Sequence, residues 1–328
     1  MISLNTTENK TINNRIIERE NLKENLDKLY AQRQIYSDAK VILGTEIIIT
    51  VVFTIVLSLI SNFFSDFITS FLNWPKELFK SLIFFISAII SILDLVVINP
   101  YLNEKRILAA SIQDSFDCDV LSISSNTIKI SKPDIETISK YSFKFINTSS
   151  ENDRKSMENW YYSNKLDTVK LSLATIMCQR TNCWWDNYLR QSFTKFIISL
   201  STFVFFLVTI ISLFKELSLP SFLLNAVSPF FCLLTFTIKQ YNENRKSINK
   251  SNKLKTHCDT IWNDILNKTK KEDELQDLSR KLQDEIFQSR STNPLIFDRY
   301  YKIYRNKQEY DTNYTLDKMI EKYNSNIH

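Results

Sequence analysis

The sequence predicts a mainly α-helical, polytopic membrane protein with four transmembrane helices in two hairpins and a helical cytosolic region. Two observations lead to this fold class. Four apolar runs form two closely spaced pairs, and each run is long enough to cross the hydrocarbon core of a bilayer. The polar segments around these pairs carry apolar residues at helical spacing, which is typical of amphipathic helices. We therefore expect the N-terminal, middle and C-terminal segments to assemble into one cytosolic region.

The predicted organisation alternates cytosolic and membrane segments. It comprises an N-terminal cytosolic helix (1–46), a first transmembrane hairpin (47–99), a cytosolic middle region (100–192), a second transmembrane hairpin (193–239) and C-terminal cytosolic helices (240–328). The four predicted spans are Ile47–Phe64, Leu78–Ile98, Phe196–Phe214 and Leu219–Ile238. At about 1.5 Å per residue the first span measures about 27 Å, which is just enough for the hydrocarbon core. Because proline lacks a backbone donor, we expect Pro100 to end the second helix and Pro229 to kink the fourth.

Three further segments outside the spans have a predictable local structure. Val120–Ile130 alternates apolar and polar residues, which predicts a short strand or hairpin. Leu166–Arg190 predicts a long helix that continues into the third span. Glu272–Arg290 places its leucines and one isoleucine on a single face and predicts an amphipathic helix that needs a partner.

Gly44 is the single glycine, and the lack of any further glycine excludes several classes of nucleotide-binding protein. Walker loops and dinucleotide fingerprints need more than one glycine, because their backbone approaches the phosphates closely. His257 and His328 are the only histidines, which leaves little basis for imidazole catalysis or metal binding. Asp117 and Asp119 form a compact acidic cluster that we expect to be solvated. We predict no enzyme, cofactor or metal site, and the modest charge of +5 does not indicate polymeric nucleic acid.

The distribution of basic residues predicts that both termini lie in the cytoplasm. Lysine and arginine are frequent before the first span and after the second and fourth, whereas the short loops within the hairpins carry few. The positive-inside rule then places the termini and the middle region inside the cell. Free thiols are expected there because the compartment is reducing, and this applies to Cys118, Cys178, Cys183 and Cys258.

Polar residues recur at steps of three and four along each predicted span. Such a stripe is typical of helix packing, since small hydroxyl side chains let helices approach closely. Four stripes, one of which carries Asp94, equally suit a water-filled lining that several subunits share. We keep both interpretations, and a pore then requires a homo-oligomer. The candidate pore-lining residues are Thr50, Thr54, Ser58, Ser87, Ser91, Asp94, Thr202, Thr209, Asn225, Ser228 and Thr235.

The stretch Cys178–Arg190, just before the third span, concentrates aromatic and charged residues. Arg180 and Trp184 are four residues apart and share a helix face, and Asp186 and Arg190 form a second such pair. Arginines and aromatic rings suit the phosphates and flat bases of a nucleotide. The same residues also suit an interfacial aromatic belt or a cation–π contact. The stretch is therefore either a ligand contact or an element that couples the cytosolic helices to the membrane.

Several blocks of sequence stand in order along most of the chain. They are Ala31–Lys40, Phe116–Leu121, Cys178–Asp186, Leu282–Arg290 and Pro294–Asp298. Together they resemble the SMODS-associated four-transmembrane effectors of bacterial cyclic-oligonucleotide-based anti-phage signalling systems (CBASS). The resemblance implies a partner nucleotidyltransferase (CD-NTase) that makes a cyclic oligonucleotide second messenger on infection. It also implies an effector that damages the lipid bilayer of the inner membrane, by a pore or by disruption, and so kills the cell or arrests its growth.

The resemblance transfers no ligand motif, so the candidate residues for ligand binding or coupling rest on chemistry alone. They are Arg33, Tyr36, Arg180, Trp184, Trp185, Asp186, Arg190, Arg290, Arg299 and Tyr300. Two other functions stay open, namely a constitutive ion channel or transporter and a membrane-anchored scaffold. The scarcity of glycine weighs against a transporter, because transporters commonly use interrupted helices at the binding site.

Overall fold

The computed structural model describes residues 15–53, 56–57, 60, 64–161, 163, 165–214, 218–223, 227–267 and 273–327, and these contain helices but no strand. The helices are α1 (Ile16–Glu20), α2 (Lys23–Ile47), α3 (Ser65–Leu72), α4 (Lys76–Leu93), α5 (Asn99–Leu121), α6 (Ile135–Thr148), α7 (Glu151–Lys155), α8 (Leu171–Phe214), α9 (Leu219–Phe222), α10 (Ser228–Leu266), α11 (Asp273–Thr292) and α12 (Asp298–Ile327). A short 3₁₀ turn covers Leu166–Thr168. Two π-helical segments, Ile48–Phe53 and Asp94–Ile98, extend α2 and join α4 to α5.

The first antiparallel pair consists of α2 and α5. At the charged end of the pair Lys28 forms an ion pair with Asp119. At the other end, where the sequences of both helices become apolar, the side chain of Glu46 faces Asp94. The pair therefore runs without interruption from the charged region of the chain into the apolar region.

The second antiparallel pair consists of α8, which is 44 residues long, and α10. In the charged region Asn187 Nδ2 donates a hydrogen bond to the carbonyl of Ile248 at 3.0 Å. In the apolar region the hydroxyls of Ser201 and Thr237 are hydrogen-bonded to each other. The helix predicted for Leu166–Arg190 does continue into the apolar segment. It begins only at Leu171, because Val169 is extended after the separate 3₁₀ turn Leu166–Thr168.

The N-terminal, middle and C-terminal segments share one hydrophobic core. Leu29 of α2, Phe116 of α5 and Leu316 of α12 belong to the same cluster and are at most 1% exposed. Leu275 and Leu282 of α11 are buried in a neighbouring cluster against α8 and α10. These contacts confirm the amphipathic helix predicted for this part of the chain, and they show one helical region built from three distant segments.

Among the described residues, two helices are long and apolar enough to cross a membrane. They are Glu77–Leu121 and Leu171–Ile211, whose most apolar 18-residue windows have mean hydropathies of 2.7 and 2.1. Only 0% and 6% of these windows are buried inside the chain, as contact with lipid requires. Parts of the first and fourth predicted spans lie outside the described residues.

Two predictions of local structure are wrong. Val120–Ile130 forms no strand, because Ser122 takes a left-handed backbone conformation at φ 54°, ends α5 and leads into turns. Pro100 does not end the second apolar helix. It lies in the first turn of α5, directly after a π-helical segment, where a missing backbone donor costs little. Pro229 lies in the first turn of α10, and the kink predicted for the fourth span stays a prediction, because residues 224–226 lie outside the described residues.

Candidate functional site

A cavity of about 240 Å³ lies where α2, α8 and α11 meet the segment that connects α11 to α12. Its cationic lining residues are Arg33, Lys40, Arg190 and Arg290. Its aromatic lining residues are Tyr36, Trp160, Tyr161, Trp185 and Tyr301. Asp186 is the only carboxylate among the described residues that line it. The cavity therefore combines positive charge with flat apolar surfaces.

Arg190 is 6% exposed, and three neighbours fix its guanidinium. Its Nε donates to both carboxylate oxygens of Asp186 at 2.9 Å. Its Nη1 donates to Asn244 Oδ1 at 3.1 Å and to the carbonyl of Pro294 at 2.9 Å. Asp186 in turn accepts a hydrogen bond from Ser251 Oγ at 2.9 Å. The predicted Asp186–Arg190 pair therefore exists, and it ties α8 to α10 and to the connecting segment.

Arg290 is fixed by a second network, centred on Asp117. The carboxylate of Asp117 is fully buried and accepts hydrogen bonds from Arg290 Nη1, from Tyr161 Oη at 2.7 Å and from Gln283 Nε2 at 2.7 Å. Burial acts to lower the pKa of Arg290, but the charge of Asp117 outweighs it and raises that pKa. Arg290 therefore keeps its positive charge beside the cavity at every physiological pH.

Asp298, at the start of α12, gathers charged and polar groups beside the cavity. Lys40 Nζ donates to Oδ1 at 2.7 Å, and Ser37 Oγ donates to Oδ2 at 2.6 Å. Arg33 Nη2 lies 3.4 Å from Oδ1. Burial lowers the pKa of Lys40 to about 8, although Asp298 opposes this shift. Burial acts to raise the pKa of Asp298, but Lys40 and Arg33 together lower it to about 2.

Tyr36 and Asn182 provide neutral polar groups on the same lining. Burial raises the pKa of Tyr36 to about 12, so its hydroxyl stays protonated. The amide nitrogen of Asn182 is buried and has no hydrogen-bond partner among the described residues. A buried donor without an acceptor costs stability, so this amide is suited to receive an acceptor from a ligand.

The model of the SMODS-associating 4TM effector domain family matches residues 14–319. The chain belongs to this effector family. The resemblance inferred from the sequence blocks is therefore confirmed. A protein of Bacillus cereus (strain VD146), described as a probable CBASS effector molecule, is 24% identical over 236 residues, which cover 72% of this chain and 75% of the relative. No solved structure matches the chain significantly.

Part of the predicted set of binding residues converges on the cavity of this effector. The converging residues come from α2, α8 and α11, which are far apart in the sequence. They are Arg33, Tyr36, Trp185, Asp186, Arg190 and Arg290.

The other predicted binding residues lie outside the cavity. Arg180 forms an ion pair with Asp259 of α10. Trp184 packs on a tyrosine one turn later in α8. Arg299 is exposed, and Tyr300 packs into an aromatic cluster with α8. These positions fit the coupling or anchoring alternative better than contact with a ligand.

The set of candidate binding residues chosen from the sequence leaves out several residues of the effector's cavity. Lys40 and Asn182 line it, as do Trp160 and Tyr161 from the segment after α7. The prediction that Asp117 is solvated is wrong, because that residue is 0% exposed and holds Arg290. The signal that was available is the spacing of Asn182, which lies three and four residues before Trp185 and Asp186 on one helix face.

The polar residues of the apolar segments mostly bond within their own helix. The hydroxyls of Thr50, Ser87, Thr209 and Thr235 each donate to a carbonyl four residues earlier. Thr202 is exposed, and Asp94 accepts a hydrogen bond from Asn99 Nδ2 at 3.1 Å while it faces Glu46. Thr54, Ser58, Ser91, Asn225 and Ser228 lie outside the described residues or side chains. The effector's polar stripes therefore suit both packing and a shared lining, because their hydroxyls are satisfied either way.

Proposed function

We propose that this chain is a CBASS effector of the bacterial inner membrane that a cyclic oligonucleotide triggers to open a pore or to disrupt the bilayer. A partner CD-NTase makes the messenger, the cytosolic region with both termini faces the cytoplasm, and several copies assemble in the membrane. The observation that carries the proposal is the cationic and aromatic cavity, which lies between helices that continue into the apolar segments. The similarity to a probable CBASS effector supports the same pathway.

The chemistry of the cavity suits a cyclic oligonucleotide. The phosphodiesters of such a ligand are anionic, and Arg33 and Lys40 provide positive charge at the cavity wall. The bases of the ligand are flat, and the rings of Trp185 and Tyr301 lie on the same wall with centroids 6.3 Å apart. Stacking of a base on an aromatic side chain contributes about 1–3 kcal/mol. The unpartnered amide of Asn182 adds a donor for a base or phosphate oxygen.

The helices that line the cavity also provide a route to the membrane. Arg33, Tyr36 and Lys40 lie on one face of α2, and α2 continues into the π-helical segment Ile48–Phe53. Arg190 lies on α8, which runs on unbroken to Phe214. A ligand that binds one arrangement of these helices more tightly shifts the population toward that arrangement. The toxic state is then the arrangement in which several copies bring their apolar helices together around water.

Dye leakage from liposomes tests the proposal. We expect the full chain, reconstituted with trapped dye, to release it when a panel of cyclic di- and trinucleotides is added. Arg33→Ala removes one charged contact worth about 1.5–3 kcal/mol, so the half-maximal nucleotide concentration should rise about 10- to 100-fold. Arg299→Ala is the matched control, because this arginine is exposed outside the cavity, and it should behave like the wild type.

Three outcomes contradict the proposal. Equal leakage with and without nucleotide favours a constitutive channel. Absence of leakage with every nucleotide of the panel rules out direct gating by such ligands. Equal effects of the two arginine variants would mean that the cavity is not the binding site.

A further inference from the structure

A second cavity, of about 230 Å³, lies directly beside the first, between α2, the segment of α6 and α7, and α12. It is more polar than the first, since hydroxyls make up much of its lining. Its cations are Arg33, Lys302 and Arg305, and its carboxylates are Asp153 and Asp298. Its hydroxyl-bearing lining residues include Ser37, Thr148 and Ser149. Arg33 and Tyr301 line both cavities, so these two side chains form the wall between them.

Arg33 in this wall differs from the other arginines of the site. Its guanidinium lies 4.9 Å from the ring centroid of Tyr301, and it makes one ion pair, at 3.4 Å, with Asp298. Stacking occupies the face of a guanidinium and leaves the donors in its plane available. Within the described residues Arg33 donates no hydrogen bond, whereas Arg190 donates to both Asp186 and Asn244. Arg33 therefore has donors for an additional anion on either side of the wall.

Neither cavity alone has the usual size of a ligand site. Such sites measure roughly 300–1,000 Å³. The first cavity measures about 240 Å³ and the second about 230 Å³, and only their combined volume falls within that range. A cyclic oligonucleotide, with two or more bases and as many phosphodiesters, therefore fits the combined volume better than either cavity alone.

We propose that the two cavities are two compartments of one site, which a single cyclic oligonucleotide occupies with Arg33 between two of its phosphodiesters. This inference rests on the proposed function and extends it to the second compartment. The aromatic first compartment takes a base, and the polar second compartment takes a phosphodiester near Lys302 and Arg305. The hydroxyl of Ser149 lines the second compartment, is buried and has no hydrogen-bond partner among the described residues, so it can donate to the same phosphodiester.

Occupation of the second compartment requires Lys302 to exchange its present partner. Its Nζ lies 2.8 Å from Asp153 Oδ1 in an exposed ion pair. Exposed pairs contribute little, about 0–1 kcal/mol, so a phosphodiester can replace this carboxylate at small cost. The ligand then contacts α8 in the first compartment and the segment of α6 and α7 in the second at once, which a mononucleotide confined to one compartment does not do.

Calorimetric titration of the detergent-solubilised full chain with cyclic di- and trinucleotide probes tests the inference. Lys302→Ala in the second compartment and Asn182→Ala in the first should each weaken binding about tenfold. Lys322→Ala, which removes an exposed lysine near the end of the same helix as Lys302, should leave the affinity unchanged. Asp153→Asn should tighten binding several-fold, because it frees Lys302 for the ligand.

The outcomes separate this inference from the function on which it rests. If Asn182→Ala weakens binding and Lys302→Ala does not, the second compartment is not part of the site, while the proposed function stands. If Asp153→Asn weakens binding as much as Lys302→Ala, the ion pair has a purely structural role and the inference fails. If the wild type binds none of the probes, both are overturned.

Discussion

The two ends of the same helix pairs are stabilised in different ways. In the polar half, which the proposed topology places in the cytosol and which is called the cytosolic half below, buried polar groups join the helices. Asp117 alone accepts hydrogen bonds from three side chains. In the apolar half, large side chains such as Phe203, which is 63% exposed, face outward. The described contact between polar side chains of α8 and α10 in that half is the bond between Ser201 and Thr237. The cytosolic half is therefore specified within one chain, whereas the large side chains of the apolar half are left uncovered by the described part of the chain.

Removal of Asp117 should have the largest effect and should act on the cytosolic half. Asp117→Ala leaves the buried Arg290 without its carboxylate, and loss of one partner of a buried pair costs about 3–5 kcal/mol. We expect a markedly lower Tm, measured by tryptophan fluorescence in detergent. Asp119→Ala is the matched control, because Asp119 is two residues away, exposed and, within the described part of the chain, paired only with Lys28. Equal losses of Tm in the two variants would contradict the expectation that the buried carboxylate of Asp117 stabilises the fold more than the exposed carboxylate of Asp119.

Glu20 should give the cytosolic half a pH dependence of intermediate size. Glu20 is 2% exposed, and burial raises its pKa from 4.5 to about 8, although the backbone N–H of Tyr161 opposes this. Between these two values the folded chain keeps a proton that the unfolded chain releases, so stability falls as pH rises toward 8. Between pH 4.5 and pH 8 the wild type should lose on the order of a few kcal/mol of its free energy of unfolding, and Glu20→Gln should remove this loss.

Thermal unfolding between pH 5 and pH 8.5 measures this effect as the difference in Tm between wild type and variant. Glu24→Gln, which alters an exposed carboxylate one turn later, is the control and should follow the wild type. A Glu20→Gln curve parallel to that of the wild type would show that this carboxyl does not change its proton affinity on folding.

The smallest effect is expected in the apolar half. Ser201→Ala removes the hydrogen bond to Thr237, and such bonds between membrane helices contribute about 0.6 kcal/mol on average. The Tm should fall slightly, and Thr202→Ala, at the exposed neighbouring position, should leave it nearly unchanged. A loss as large as that of Asp117→Ala would show that the apolar half is as strongly specified as the cytosolic half.

The helices could be predicted from the sequence more fully than the cavity. Apolar spacing identifies α11, since Leu275 and Leu282 have to be buried against some partner. The same spacing divides the stretch before the third span into faces, one with Arg180 and Trp184 and another with Trp185 and Asp186. It does not say which face meets α2, because that depends on contacts between segments far apart in the chain. Arg180 accordingly pairs with α10, and Trp185 lines the cavity.

The π-helical segments of the first pair have a geometric consequence for its outer part. Ile48–Phe53 and Asp94–Ile98 lie where α2 and α5 enter the apolar region. A π-helical turn holds about one residue more than an α-helical turn, and one residue corresponds to about 100° of rotation around the axis. Conversion of such a wide turn into a regular α-helical turn therefore rotates the outer segment by about 100° around its own axis. The first hairpin can thus present a different face to its neighbours while its cytosolic part stays in place.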